Sequence, residues 1–266
     1  MRSLISITLA LASIALAQDV IEKRKTITVS TNYHEKLIIE KDAYLGLVGG
    51  SFHNFYSDVE VHGGLCVSTD DSFVRKNNRL IGNFENYFNT IIDLSKDTGS
   101  NSYMWEGESF NNKGNMSMRG TPFASSNPQS LTFSSFSNSR FLQFIDTGYL
   151  QFGKEYGTII NTGTIAAQSD QFNHIYVIPQ SSMIGNGCLW VGSYCIFYIE
   201  DLDNISVEDQ TIVLSPEPNA IVLGGFTDPP SRHLPVTSLK IRNFNSKTSI
   251  WFHEVIQKSS HLKMEF

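Results

Sequence analysis

The chain has 266 residues, of which 41% are hydrophobic and 17% are charged, which is enough for one large domain or for one domain with a small companion. The net charge of −6 and the absence of basic residues interleaved with aromatic residues argue against a nucleic-acid-binding surface. Three cysteines without a CxxC spacing argue against a disulfide scaffold and against a zinc site.

Residues 1–17 have the pattern of a secretory signal peptide. Arg2 supplies the positive charge, an apolar run follows at 4–16, and small residues lead to a predicted cleavage site between Ala17 and Gln18. The apolar run is shorter than the ~20 residues that a membrane-spanning helix needs. We therefore expect a secreted mature chain without a transmembrane segment.

A nine-residue pattern then recurs: apolar, any, Asn, any, Gly, any, apolar, any, apolar. Its clearest copy is 110–118, in which positions one, seven and nine share one side of an extended strand. The Asn-x-Gly core indicates a turn. Copies begin 23–26 residues apart, at Val59, Phe84, Phe110, Phe136, Ile159 and Met183, and a weak seventh copy begins at Val207 with Thr211 and Val213 at its later positions.

A repeat of this length with strand-like alternation predicts an all-β fold, a parallel β-solenoid of about 6–8 coils at 18–226. The alternative is a set of unrelated hairpins with Asn-Gly turns. Further strand patterns between the copies predict two or three strands in each coil; they are 103–105, 131–133, 149–152, 175–178 and 195–199. After residue 215 prolines become frequent and the pattern changes, so we expect a short, incomplete C-terminal β module at 227–266.

The run AYLGLVGGSFHNFYSDVEVHGGLCVS at 43–68 resembles the N-terminal domain of the fungal hyphally regulated cell-wall protein family, and 110–114, 160–165, 185–189 and 209–214 resemble its later coils. The likeness spans roughly 26–245. It implies a right-handed β-helix, a following β-sandwich-like module, and adhesin-like display on a cell wall. The Ser/Thr-rich stalk and the GPI-anchor signal of the family are not seen in this sequence, so the resemblance does not extend to covalent attachment to the wall.

By the same resemblance the function is non-catalytic binding to cells, glycans, extracellular proteins or abiotic surfaces. A structural wall component without a specific ligand is one alternative. A carbohydrate-active enzyme is the other, because pectin-lyase-like enzymes also use β-helices. Glu106 and Glu108 lie on one side of a strand pattern and are the nearest approach to a glycosidase pair, but we favour the simpler explanation that they are exposed strand positions. We expect no catalytic residues, no cofactor and no metal.

Four asparagines occupy the third position of successive copies: Asn86, Asn112, Asn138 and Asn161. They predict either a glycan-binding ladder or a structural stack of amides that hydrogen-bond along the solenoid; we favour the stack. Asn115 and Asn204 begin N-glycosylation sequons. Cys188 and Cys195 are a candidate disulfide, whereas the earlier partner that the family provides for the Cys188 position is replaced here by Ala166.

Overall fold

Every regular element that the computed structural model describes is a β-strand. The described residues are 18–50, 52–68, 77–96, 102–120, 129–170, 175–199, 205–223, 238–252 and 263–265. The strands are β1 (Gln18–Ile21), β2 (Arg24–Ile27), β3 (Thr31–Tyr33), β4 (Lys36–Ile39), β5 (Tyr44–Val48), β6 (His53–Phe55), β7 (Val59–Val61), β8 (Gly64–Ser68), β9 (Asn77–Ile81), β10 (Phe84–Asn86), β11 (Asn89–Asp93), β12 (Ser102–Asn112), β13 (Asn115–Arg119), β14 (Gln129–Asn138), β15 (Phe141–Ile145), β16 (Tyr149–Phe152), β17 (Thr158–Asn161), β18 (Thr164–Gln168), β19 (Ile175–Pro179), β20 (Ser182–Ile184), β21 (Cys188–Val191), β22 (Cys195–Ile199), β23 (Thr211–Leu214), β24 (Asn219–Leu223), β25 (Ser238–Arg242), β26 (Thr248–Phe252) and β27 (Lys263–Glu265).

The strands pair in parallel and form three stacks, so that one coil contributes one strand to each stack. Stack 1 runs through β1, β4, β7 and β10, the later halves of β12 and β14, then β17 and β20. Stack 2 is a separate 11-stranded sheet that begins with β2, β5 and β8. Stack 3 contains β3, β6, β9, the first halves of β12 and β14, and then β16, β19, β22, β24 and β26. The structure is therefore a β-solenoid of about seven turns, as the repeat predicted.

The predicted columns coincide with the observed strand register. Phe110 pairs with Phe84 below it and with Phe136 above it, and Ile159 continues the same column to Met183. The strand patterns predicted between the copies are also confirmed, because they form stack 3. A coil therefore has three strands, at the upper limit of the prediction.

The seventh copy begins where it was predicted but continues one residue out of register. Val207 bridges to Met183, the first position of the preceding copy. Ile212 then pairs with Leu189, so the turn in this coil is one residue shorter than in the coil before it. Since side chains alternate along a strand, this shift directs Ile212 and Leu214 into the core. Val213, at the seventh position of this copy, therefore lies on the outer side of β23, unlike the seventh positions of the earlier copies.

One core fills the space between the three stacks. Its middle is aromatic: the rings of Phe84, Phe110 and Phe136 stack in successive coils, with centroids 5.4 Å and 4.4 Å apart. Phe110 also contacts Phe133 of stack 3, at a centroid distance of 5.4 Å. Stacked rings bury a large apolar area at the spacing that strand pairing imposes. A single coil could not bury these rings alone, so the stability of the fold depends on contacts between neighbouring coils.

The described strands after residue 227 extend the solenoid. Ile241 of β25 pairs with Ile212 of β23 in stack 2, and Ile250 of β26 pairs with Ile221 of β24 in stack 3. Ile241 is buried in the same way as the core residues of earlier coils. Because both sheets continue in parallel register, the described part of 227–266 belongs to the stack and not to the separate module that the change of pattern suggested.

Candidate binding surface

A continuous chain of amide hydrogen bonds runs through the interior beside stack 1. Asn86 Nδ2 donates to Asn112 Oδ1, and Asn112 Nδ2 donates to Asn138 Oδ1, each at 2.8 Å. Asn138 Nδ2 donates in turn to Asn161 Oδ1 at 2.8 Å. All four side chains are 0% exposed. Burial removes these amides from any external ligand, so the column is a structural stack and not a glycan-binding ladder.

The same amides also hold the turn between stack 1 and stack 2. Asn86 Nδ2 donates to the backbone oxygen of Asn115, and Asn112 Nδ2 donates to the backbone oxygen of Phe141, both at 3.1 Å. Asn138 Nδ2 donates to the backbone oxygen of Arg140 at 3.3 Å. The buried stack therefore fixes the backbone of an exposed corner, and it links the interior of the protein to its surface.

This corner is built from two-residue connections. Residues 87–88 join β10 to β11, residues 113–114 join β12 to β13, and residues 139–140 join β14 to β15. Backbone hydrogen bonds continue around the corner: Asn115 N donates to Phe88 O at 2.6 Å, for example. Equal connection lengths place equivalent side chains above one another in successive coils, so the corner forms a straight ridge.

We define the corner ridge as six exposed side chains from three consecutive coils: Tyr87, Phe88, Lys113, Asn115, Arg140 and Phe141. Three of them are aromatic, with 36%, 55% and 38% of Tyr87, Phe88 and Phe141 exposed. Large exposed aromatic residues clustered with polar residues are typical of interaction surfaces. The ridge is therefore our candidate binding surface.

Glycines in the two coils next to Phe88 explain why no neighbouring side chain covers its ring. The fifth position of the repeat is Gly63 before Phe88 and Gly114 after it, and Arg140 follows in the next coil. A Cβ added to Gly114 would lie 2.2 Å from the backbone oxygen of Phe88, so a larger residue cannot occupy that position. Bulky side chains consequently occur in alternate coils, and neither glycine covers the Phe88 ring.

A network of charged and aromatic side chains borders the ridge on the outer side of stack 1. Glu60 forms an ion pair with Lys36 Nζ at 2.7 Å and lies within hydrogen-bond distance of His62 Nε2, at 2.6 Å. The hydrogen bond from Lys36 holds the pKa of Glu60 below its usual value. His62 stacks on Tyr87 with ring centroids 4.6 Å apart, and Lys113 Nζ lies 4.6 Å from the centroid of the Tyr87 ring.

This network fixes one end of the ridge. The Tyr87 hydroxyl donates to Glu85 and accepts from Lys113 Nζ, the latter at 3.4 Å. The Tyr87 ring is enclosed by His62 and Lys113, whereas no ring contact to Phe88 or Phe141 occurs in the described part of the chain. Tyr87 is thus positioned by its neighbours, and Phe88 and Phe141 are the two rings whose surfaces are open to a ligand.

The three cysteines are free thiols, and the candidate disulfide between Cys188 and Cys195 is not formed. Cys188 lies on the outward side of β21, since the neighbouring Leu189 is buried, whereas Cys195 points into the core from β22. The two side chains therefore point in opposite directions from different stacks. Burial raises the pKa of both thiols, so neither is activated as a nucleophile.

The predicted glycosylation sites and the predicted signal cleavage site do not form one cluster with each other. Asn115 is exposed on the ridge, with its amide nitrogen 3.3 Å from Asn89 Oδ1. Asn204 and the predicted signal peptide with Ala17 lie outside the described residues, and Gln18 begins β1.

The candidate glycosidase pair does not gather into a site, and His53 and His62, the two histidines of the segment 43–68, lie apart. Glu106 and Glu108 are both exposed on β12, and Glu106 lies 3.7 Å from Arg79. His53 is buried in stack 3, whereas His62 follows stack 1, so the two histidines do not meet. Within the described ranges, no group of three or more acidic, histidine or cysteine side chains is arranged to hold a metal ion.

Sequence reasoning missed the corner ridge because it treated the fifth position of the repeat only as a turn. The available signal was the interruption of its glycines by Phe88 and Arg140. A turn position that is otherwise glycine carries a bulky residue without penalty only where that side chain can point outwards. Phe141 had no such signal, since it occupies an ordinary position of an outward-facing column.

Three parallel stacks around a stacked core define a β-solenoid protein whose candidate site is an exposed ridge on the outside of the coils. Residues 8–266 match the family described as hyphally regulated cell wall protein N-terminal, and the chain belongs to this family. Membership supports a role at the cell wall. Searches of curated proteins and of solved structures found no match. No helix capable of crossing a membrane occurs in the portion of the chain that the structure describes.

Proposed function

We propose that the protein is a secreted, adhesin-like module of the cell wall that binds cells, glycans or surfaces without a catalytic step. The corner ridge carries this proposal, because it presents open aromatic rings and polar groups outwards from a firmly held backbone. Stacked coils with paired backbones make the scaffold stiff. A stiff scaffold suits a binding module, because its surface loses little conformational entropy when a partner docks.

Two other features support binding more than turnover. The exposed Glu106 and Glu108 lie side by side on one strand instead of facing one another across a cleft, as glycosidase carboxylates do. The acidic residue in contact with the ridge, Glu85, already accepts a hydrogen bond from the Tyr87 hydroxyl. Glu60, in the bordering network, is already engaged by Lys36 and His62. An engaged carboxylate with a depressed pKa serves poorly as a general acid or base near neutral pH.

The proposal is tested by displaying residues 18–266 on a non-adherent yeast and measuring attachment to host cells, immobilised glycans and plastic. We expect attachment above that of the parent yeast, with no new reducing ends released from the glycans. A displayed, folded protein that causes no attachment to any of these materials would refute binding and favour a purely structural wall component. Release of sugar fragments would instead favour the enzyme.

A further inference from the structure

We infer that the corner ridge is the binding site, and that its ligand is an extended carbohydrate chain lying parallel to the solenoid axis. This inference rests on the proposed binding function and deepens it. Phe88 and Phe141 are the open aromatic rings, Asn115 and Arg140 supply hydrogen-bond donors, and all four lie on successive coils of one straight corner.

The chemistry of the ridge matches a sugar polymer. A sugar ring has C–H faces that pack on aromatic rings and an edge of hydroxyl groups that needs hydrogen-bond partners. Along the ridge, rings alternate with polar groups: Asn115 pairs in register with Phe141 in the next coil, and Lys113 precedes it. Arg140 makes no ion pair with any described residue, so its donors are available.

The ridge is a narrow strip, which suits a linear sugar chain better than a protein partner. Coils repeat at about 4.8 Å, so Phe88 and Phe141 are two coils, or roughly 10 Å, apart along the axis. This strip is long enough for a short segment of a linear sugar chain. A stable protein partner would bury about 800 Å² on each side, usually around an apolar centre, and a two-residue corner offers no such area.

The buried amides prepare the ridge for binding. The backbone oxygens of Asn115, Arg140 and Phe141 each accept a hydrogen bond from the amide stack. The open side chains thus project from a backbone that is held before the ligand arrives. Pre-ordering reduces the entropic cost of binding, which matters for a shallow site where each contact contributes little.

The sequon at Asn115 places a glycan acceptor within this surface. A glycan attached there would cover Phe141, because Asn115 and Phe141 are paired neighbours on adjacent strands. The binding experiment therefore uses chain 18–266 with Ser117→Ala, which removes the sequon and leaves Asn115 itself in place. This chain is the wild-type reference for the ridge, and the same chain without the substitution, secreted by yeast, is measured beside it.

The test measures binding of immobilised gluco-, manno- and N-acetylglucosamine oligosaccharides, graded from disaccharides to long oligomers. We expect at least one series to bind with affinity that rises with chain length. Phe88→Ala and Phe141→Ala should each weaken that binding about 3- to 10-fold, the value of one aromatic stacking contact. Tyr156→Ala is the matched control, since Tyr156 is 92% exposed and lies outside the ridge.

The outcomes separate this inference from the function on which it rests. Equal oligosaccharide binding by the wild type and both ridge variants, with unchanged thermal midpoints, would overturn the ridge as the site while leaving adhesion intact. Failure of the wild type to bind any oligosaccharide would overturn the ligand class, and the attachment assay on cells and plastic would then decide the proposed function separately. Loss of binding in Tyr156→Ala would also contradict the assignment.

Discussion

Gln210 Oε1 accepts a hydrogen bond from Asn161 Nδ2 at 2.7 Å, although the two residues are 49 positions apart in the sequence. The asparagine column stops at Asn161 because the next coil has Gly185 in that position. Gln210 reaches back from the following coil, and its Nε2 also donates to the Asn161 backbone oxygen at 3.0 Å. The longer side chain thus completes the amide stack across a coil that cannot contribute to it.

Gln210→Ala should therefore destabilise the protein. The substitution leaves the Asn161 amide without its closest acceptor and removes the donor to its backbone oxygen, both in a buried site. We expect a loss of about 1–3 kcal/mol in the free energy of unfolding, measured in urea by circular dichroism. Gln143→Ala, on the outward side of β15, should change it by less than about 0.5 kcal/mol. Equal losses would show that Gln210 has no special role.

An asparagine introduced at position 185, within the column itself, cannot take over the role of Gln210. Gly185 has a φ of +105°, which lies outside the region that residues with a side chain readily adopt. We expect the double variant Gly185→Asn with Gln210→Ala to be less stable than Gln210→Ala alone, as measured by thermal midpoint. A rescued midpoint would mean that the backbone at 185 relaxes at little cost.

The asparagine pair Asn111 and Asn112 offers a matched test of the stack itself. Asn112 is 0% exposed and bonded to Asn86 and Asn138, whereas Asn111 is only partly buried on the outer side of β12. Asn112→Ala leaves the buried side-chain amides of Asn86 and Asn138 without their hydrogen-bond partner. We therefore expect a loss of roughly 2–4 kcal/mol in the free energy of unfolding. Asn111→Ala should cost less than about 0.5 kcal/mol. Similar melting curves for the two variants would contradict a structural stack.

Much of the fold followed from the sequence because parallel stacking repeats one local pattern. Inward columns such as Phe84, Phe110 and Phe136 need the same side-chain type in each coil, and that demand is visible as a period. The asparagines were visible for the same reason, since each amide must meet another amide in the next coil. Contacts that repeat in every coil therefore leave a periodic pattern in the sequence.

Irregular contacts left weaker signals or none. Gln210 replaces a missing amide from a position outside the column, which depends on side-chain reach and not on spacing. The register shift after Val207 arises from a turn that is one residue shorter, and alternation alone does not locate it. The continuation of the sheets through β25 and β26 overrides a local change in composition, because pairing with the previous coil decides the fold.

Two phenylalanines distinguish the core from the candidate binding surface. Phe110 is 1% exposed and stacks between Phe84 and Phe136, whereas Phe88 is 55% exposed. Phe110→Ala should lower the free energy of unfolding by about 3–5 kcal/mol, since it opens a cavity in the aromatic stack. Phe88→Ala should change it by less than about 0.5 kcal/mol. A large loss from Phe88→Ala would mean that the ridge is a structural feature.

The buried histidine makes stability depend on pH. His53 is 0% exposed, its Nε2 lies 2.8 Å from the Gly49 backbone oxygen, and burial lowers its pKa from the usual 6.5. The unfolded chain therefore takes up a proton near pH 6.5 that the folded chain does not, so stability is full above that pH and falls as the pH drops below it. Urea midpoints recorded from about pH 8 to about pH 5 should show this decline. His53→Gln should flatten the curve over that range, while His34→Gln, at an exposed position, should leave it unchanged; a flat wild-type curve would contradict the burial of a neutral His53.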